Sequence, residues 1–221
     1  MGSEDLFHKR KARGAKKLAR QQAKRAPYDR VLIVCEGKKS EPFYLTGLRD
    51  YYGLNTANIV VDGECGSSPM TVFKHAKQRY DDLVRTGDEY DRVYCVIDKD
   101  KHTDYQEALN AIAQAKPEKR FFAITSVPCF EYWLLLHFIY TTQPFHATGT
   151  KSICDSVEME LKNHLPDYQE GKKGLFTQLF KQLNFAKANA ALALTEAEGN
   201  YTDNPSTNLH ELVEYLQNIK K

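Results

Sequence analysis

Apolar and polar residues fall in blocks along this chain, and the first clear block is Arg30-Val31-Leu32-Ile33-Val34-Cys35. An unbroken aliphatic and β-branched run of this kind predicts a strand covered on both faces. It stops at Glu36-Gly37. A helix is expected from near Ser40, with Glu41 and Pro42 in its first turn and Phe43, Leu45 and Leu48 inside. A second strand is predicted over 58–62, followed by the turn-rich stretch 63–68. Pro69 then opens a helix with Val72, Phe73, Ala76, Tyr80, Leu83 and Val84 at helical spacing, closed at Gly87. A third strand, Arg92 to Ile97, ends in Asp98-Lys99-Asp100. A helix over about 104–115 and a fourth strand over 120–125 complete the alternation, which predicts a parallel sheet with crossover helices.

Beyond Ser126 the alternation fails. An aromatic, apolar helix is expected over 132–140, further helices over 151–165 and 174–198, and a last one reaching Ile219. Asn204-Pro205-Ser206-Thr207 reads as a turn, with Ser206 or Thr207 capping that last helix. The predicted organisation is an α/β core over 28–127, a helical C-terminal region over 128–221 packed on it, and an N-terminal arm over 1–27.

The arm changes the picture through charge. Residues 1–30 hold ten Lys/Arg against three Asp/Glu, whereas the rest of the chain holds 21 basic and 26 acidic residues. A basic arm on a mildly acidic body suggests a polyanionic partner such as nucleic acid, although a solubilising tail has the same composition. No apolar run approaches the roughly 20 residues that span a bilayer, and the N-terminus has no signal-like apolar stretch, so no membrane partner is expected. Five scattered cysteines without a C-x-x-C pair form neither a zinc site nor a disulfide framework. Buried thiols in a reducing, cytoplasmic setting are expected, with Cys35 and Cys95 inside strands.

The candidate chemistry lies at the strand ends. In open parallel sheets ligands bind outside the carboxyl ends of the strands. Here the first strand ends in Glu36 and the third in Asp98 and Asp100. Two residues apart on an extended segment, Asp98 and Asp100 point the same way, roughly 7 Å apart at Cα. Glu36 could face them from the neighbouring strand. Their mutual repulsion would be relieved by a hard divalent cation such as Mg²⁺, which keeps waters for a phosphate substrate. A lone D-x-D would more often be an exposed loop neutralised by Lys99 and Lys101. Its placement after an apolar strand argues for a site.

These residues carry a resemblance. The run from Val31 to Glu36-Gly37, with Asp98-Lys99-Asp100 some sixty residues on, resembles a TOPRIM domain, the Rossmann-like catalytic module of primases, topoisomerases and OLD-type nucleases. The segment Glu36-Gly37-Lys38-Lys39-Ser40-Glu41-Pro42-Phe43-Tyr44 is similar to the E-G-x-x-T/S-E-P-x-Y segment of RloB-like proteins. The stretch from Ser126 to Phe138 resembles their S-N-P-C-F-E-x-W-L-L-L-H-F segment, and Asn204 to Thr207 with His210-Glu211-Leu212-Val213 resembles their C-terminal helix. Val127 stands where the family commonly has Asn.

The resemblance, over about 28–219, implies a TOPRIM fold, Mg²⁺-dependent (or Mn²⁺-dependent) phosphodiester cleavage in RNA such as tRNA or in DNA, and a role in antiphage defence or abortive infection beside an ATPase partner. It implies Glu36 as general acid/base or as a ligand in a two-ion arrangement, with Asp98 and Asp100 holding the metal. Glu131 either adds a carboxylate or is a first-turn glutamate favoured by the helix dipole. Lys38, Lys39 and Lys99 could steer phosphate, and Ser126 could touch substrate; solvated loops and a turn cap are the ordinary roles of such residues. Glu41 could support the site acids from behind but better suits a helix N-terminus, His102 is expected as at most a minor substrate contact, and His137, Trp133 and Phe138 in the core. The alternative is a regulatory or scaffold subunit that binds nucleic acid or nucleotide without cutting. Polymerising or strand-passing chemistry is set aside, since no tyrosine is recognisably placed for a covalent adduct.

Overall fold

The structure, a computed structural model, describes residues 26–221. The basic arm expected over 1–27 therefore lies almost wholly outside the described residues. Five strands form one sheet in the order β2-β1-β3-β4-β5: β1 Val31–Cys35, β2 Ile59–Asp62, β3 Arg92–Asp98, β4 Phe121–Val127 and β5 Ser206–Thr207. The first four run parallel, and β5 pairs antiparallel with the end of β4 through Ser126–Thr207 and Val127–Ser206. Helices α1 Ser40–Tyr51, α2 Pro69–Val84 and α3 Tyr105–Ala113 alternate with the parallel strands, as their hydrophobic spacing predicts. The remainder is helical: α4 Phe130–Leu135, α5 Ile153–His164, α6 Leu175–Leu179, α7 Leu183–Gly199 and α8 Leu209–Asn218.

All five residues of β1 are buried, which is why the strand reads as a continuous apolar run. Val31, Ile33 and Cys35 face a core shared with α1 and the C-terminal helices. Leu32 and Val34 face a second core built from α2 and α3. Each such aliphatic side chain contributes about 1.5–3 kcal/mol on burial. The helical half thus covers one face of the sheet, and its residues 206–207 complete the sheet itself.

Several boundaries move for identifiable reasons. The strand expected over 120–125 runs on to Val127 because β5 gives it a partner. Ser206 and Thr207, expected to cap the last helix, instead form β5, and Asn208 precedes α8. The helix expected over 132–140 begins at Phe130, whose amide donates to Asp98 Oδ2, and ends at Leu135. The His137 ring Nδ1 lies 3.0 Å from Trp133 O, and the His137 amide turns to Leu134 O, closing the helix early. His137 and Trp133 are buried, as expected; Phe138 stacks on His164. The stretch 174–198 is broken by a 3₁₀ turn at Phe180–Gln182. All five cysteines are free, with Cys35 and Cys95 buried. Among the described residues no helix is long and apolar enough to cross a membrane.

The turn after β1 depends on two glycines. Gly37 sits at φ +79°, where a side chain is strained. A Cβ on Gly63, in the loop after β2, would lie 2.4 Å from Gly37 O and 2.6 Å from Pro42 Cγ. Gly63→Ala is expected to lower stability by about 1–3 kcal/mol. A urea midpoint equal to the parent's would show that the two loops do not abut.

Candidate functional site

The chain crosses from β1 to β2 on one side and reaches β3 on the other, so the carboxyl ends of β1 and β3 flank the crevice at which open α/β sheets take ligands. A cavity of about 330 Å³ opens there. Glu36 follows β1, Asp98 ends β3, and Asp100 lies two residues on; all three line the cavity. Glu41 reaches it from the first turn of α1, and Glu131 from the first turn of α4. Asp155, Glu158 and Glu170 of the helical half add three further carboxylates. Among the described residues, Lys38, Lys39 and His102 bring the basic side chains to the lining.

The carboxylates differ in what satisfies them. Glu36 Oε2 accepts from the Asp98 amide at 3.4 Å, and Oε1 lies 2.8 Å from His102 Nε2. Burial raises the Glu36 pKa, and the His102 charge pulls against that rise. Glu131 Oε1 accepts from Tyr168 Oη at 2.6 Å. Asp98 Oδ2 accepts from the Phe130 amide at 3.1 Å, while its Oδ1 is buried without a partner. Asp100 Oδ1 is likewise buried and unpartnered. The Asp98 pKa lies well above the usual carboxylate range, first through burial and then through the charges of Glu41 and Glu131. Glu41 is 8% exposed, and burial, with Glu131 and Glu36 nearby, raises its pKa to about 8.

Two carboxylates some 5 Å apart repel by about 3 kcal/mol at an effective dielectric near 20, so this cavity favours protons or cations. Among the described residues no group of three or more His, Cys, Asp and Glu side chains stands ready to hold a metal ion. The donor chemistry nonetheless fits a hard cation. The exposed faces of the cavity acids are oxygen donors, and buried polar atoms as bare as Asp98 Oδ1 and Asp100 Oδ1 ordinarily have a partner.

Two expected substrate contacts are placed elsewhere. Lys99 Nζ donates to Asp203 Oδ2 at 2.5 Å and does not line the cavity. Its amide bonds Ser126 O at the end of β4, and its side chain turns to Asp203 rather than to the cavity. Ser126 is buried, with Oγ 3.2 Å from Thr207 Oγ1 beneath β5. Lys38 and Lys39 are exposed at the rim.

Glu41, His102 and Tyr168 matter more than their sequence contexts suggest. The spacing of Glu41 from Glu36 across one glycine turn was the available signal for the first. Tyr168 has none; its loop is fixed by the Gly171 amide donating to Ser40 Oγ at 3.1 Å. Residues 31–216 match the model of a family described as RloB-like protein. Comparison with curated proteins and with solved structures gave no match.

Proposed function

Because the chain belongs to the RloB-like family, and its sheet with a helical C-terminal half is consistent with a TOPRIM-like architecture, we propose that the cavity cleaves phosphodiester bonds in nucleic acid with the help of Mg²⁺ or Mn²⁺. One observation carries this reading: Asp98 and Asp100 each present a buried, unpartnered oxygen at the switch point of the sheet. Asp98 and Asp100 would hold the cation, with Glu131 beside them. When bound, such a cation polarises the phosphate and offsets the charge that develops on the leaving oxygen. Glu36 holds or takes the proton of the attacking group. Lys38 and Lys39, exposed at the rim, attract the phosphate backbone toward a cavity whose own acids would repel it. The family setting extends the proposal to antiphage defence beside an ATPase partner, for which co-purification is the check.

The test is incubation with tRNA, single-stranded DNA and duplex DNA in Mg²⁺ or Mn²⁺, with and without a chelator. Cleavage that needs the cation supports the reading. The lack of a ready-made cation group among the described residues favours a second reading, a site silent until a partner acts. Binding without cleavage, converted to cleavage by the ATPase, would select that one. Removing residues 1–25 leaves the Ala26 contacts with Asn58 in place, and it is expected to weaken nucleic-acid binding and flatten its salt dependence. An unchanged slope would remove the arm from the interface.

A further inference from the structure

Among the described residues, Glu36 is the cavity acid with a partner on each carboxylate oxygen. The Asp98 amide donates to Oε2, and His102 Nε2 lies 2.8 Å from Oε1. Asp98 and Asp100, by contrast, each keep a buried oxygen open. The position of His102 is built by the loop after β3. The Lys99 amide bonds Ser126 O and the Asp100 amide bonds Pro128 O, which pins both residues to the end of β4. Asp100 then takes φ +31°, a conformation that a residue other than glycine rarely adopts. The chain closes through the His102 amide on Lys99 O. This bend carries the His102 side chain from the third strand back over the acid of the first. Backbone strain of that kind persists where the surroundings over-determine it.

We infer that His102 is a positioning residue for Glu36, donating from Nε2 to fix that carboxylate for proton handling and so leaving the cation to Asp98 and Asp100. The inference rests on the proposed phosphodiester chemistry and assigns a division of labour within it. Glu36 is held at both oxygens, whereas Asp98 and Asp100 each keep one buried oxygen without a partner. His102 does not touch the reacting atoms in this account. It acts by restricting where Glu36 can be.

The test uses the full chain and three variants. His102→Ala is expected to lower kcat by about 10–100-fold, the usual cost of losing a group that orients a ligand or catalytic side chain. The KM for nucleic acid and the calorimetric affinity for Mn²⁺ are expected to stay at the parent's values. His102→Gln, whose side-chain amide can still donate to Glu36, is expected to recover most of the lost kcat. Unchanged kcat in His102→Ala would overturn the inference. So would a loss of Mn²⁺ affinity, which would place Glu36 and His102 around the cation, or a glutamine no better than alanine. Should the parent protein cleave none of the nucleic acids, the functional reading fails, and the pairing is still read by NMR of the His102 imidazole. Glu36→Gln is expected to shift those signals, and unshifted signals would overturn the pairing itself.

Discussion

Asp98→Asn is expected to yield a protein that is more stable without metal and inactive with it. The parent carboxyl is buried beside Glu41 and Glu131, and its pKa in the folded chain is raised well above the ordinary value near 3.8. A raised carboxyl pKa means that the folded state holds its proton more tightly than the unfolded state. The stability it supports is present at low pH and declines as pH rises from the unfolded value toward the folded one. Asparagine carries no such charge, and its side-chain oxygen can still accept from the Phe130 amide. At pH 7 the variant should therefore gain about 1–3 kcal/mol in denaturant unfolding of the metal-free protein. Cleavage should fall at least about 100-fold, the scale on which losing one transition-state electrostatic group is felt. A variant that cuts like the parent would remove Asp98 from the reaction, and one that is less stable would mean that its charge is already compensated.

The second large effect concerns Glu41. Its pKa rises from 4.5 to about 8, chiefly by burial and then by the neighbouring acids. The metal-free protein should accordingly lose stability as pH climbs from about 4.5 to about 8 and level off above. A shift of that size corresponds to at most about 5 kcal/mol. The neighbouring acids share the burden, so Glu41→Gln should recover about 2 kcal/mol at pH 8 and almost nothing near pH 4.5. Thermal or urea unfolding at the two pH values reads this directly. An equal gap at both would trace the effect to packing rather than charge. A protein that keeps such an acid keeps it against its own stability, the pattern found where stability is traded for chemistry.

The sheet and the three central acids were legible because β1 and β3 are buried on both faces and therefore announce themselves as apolar runs, with Glu36 and Asp98 at their ends. Glu41 was readable in one respect only. A first-turn glutamate that complements a helix dipole and one that enters a cavity have the same local sequence, and only the placement of α1 at the switch point separates them. Lys99 was not legible because the extended alternation expected for Asp98-Lys99-Asp100 stops at Asp98, where β3 ends; Asp100 takes φ +31° and the lysine turns to Asp203. Nor was Ser126, because what covers it is a two-residue strand about eighty positions downstream, and nothing local to either segment encodes their pairing. The wall formed by Tyr168 and Gly171 is hidden for the same reason.

The late origin of β5 has an implication for synthesis. On the ribosome, Glu36, Asp98 and Asp100 emerge well before Asp203, Ser206 and Thr207, which occupy Lys99 and seal the end of β4. Until those residues are made, the growing chain carries its three acids on a sheet one strand short. The antiparallel edge, and with it the Asp203 partner of Lys99, is therefore the last part of the sheet to be made.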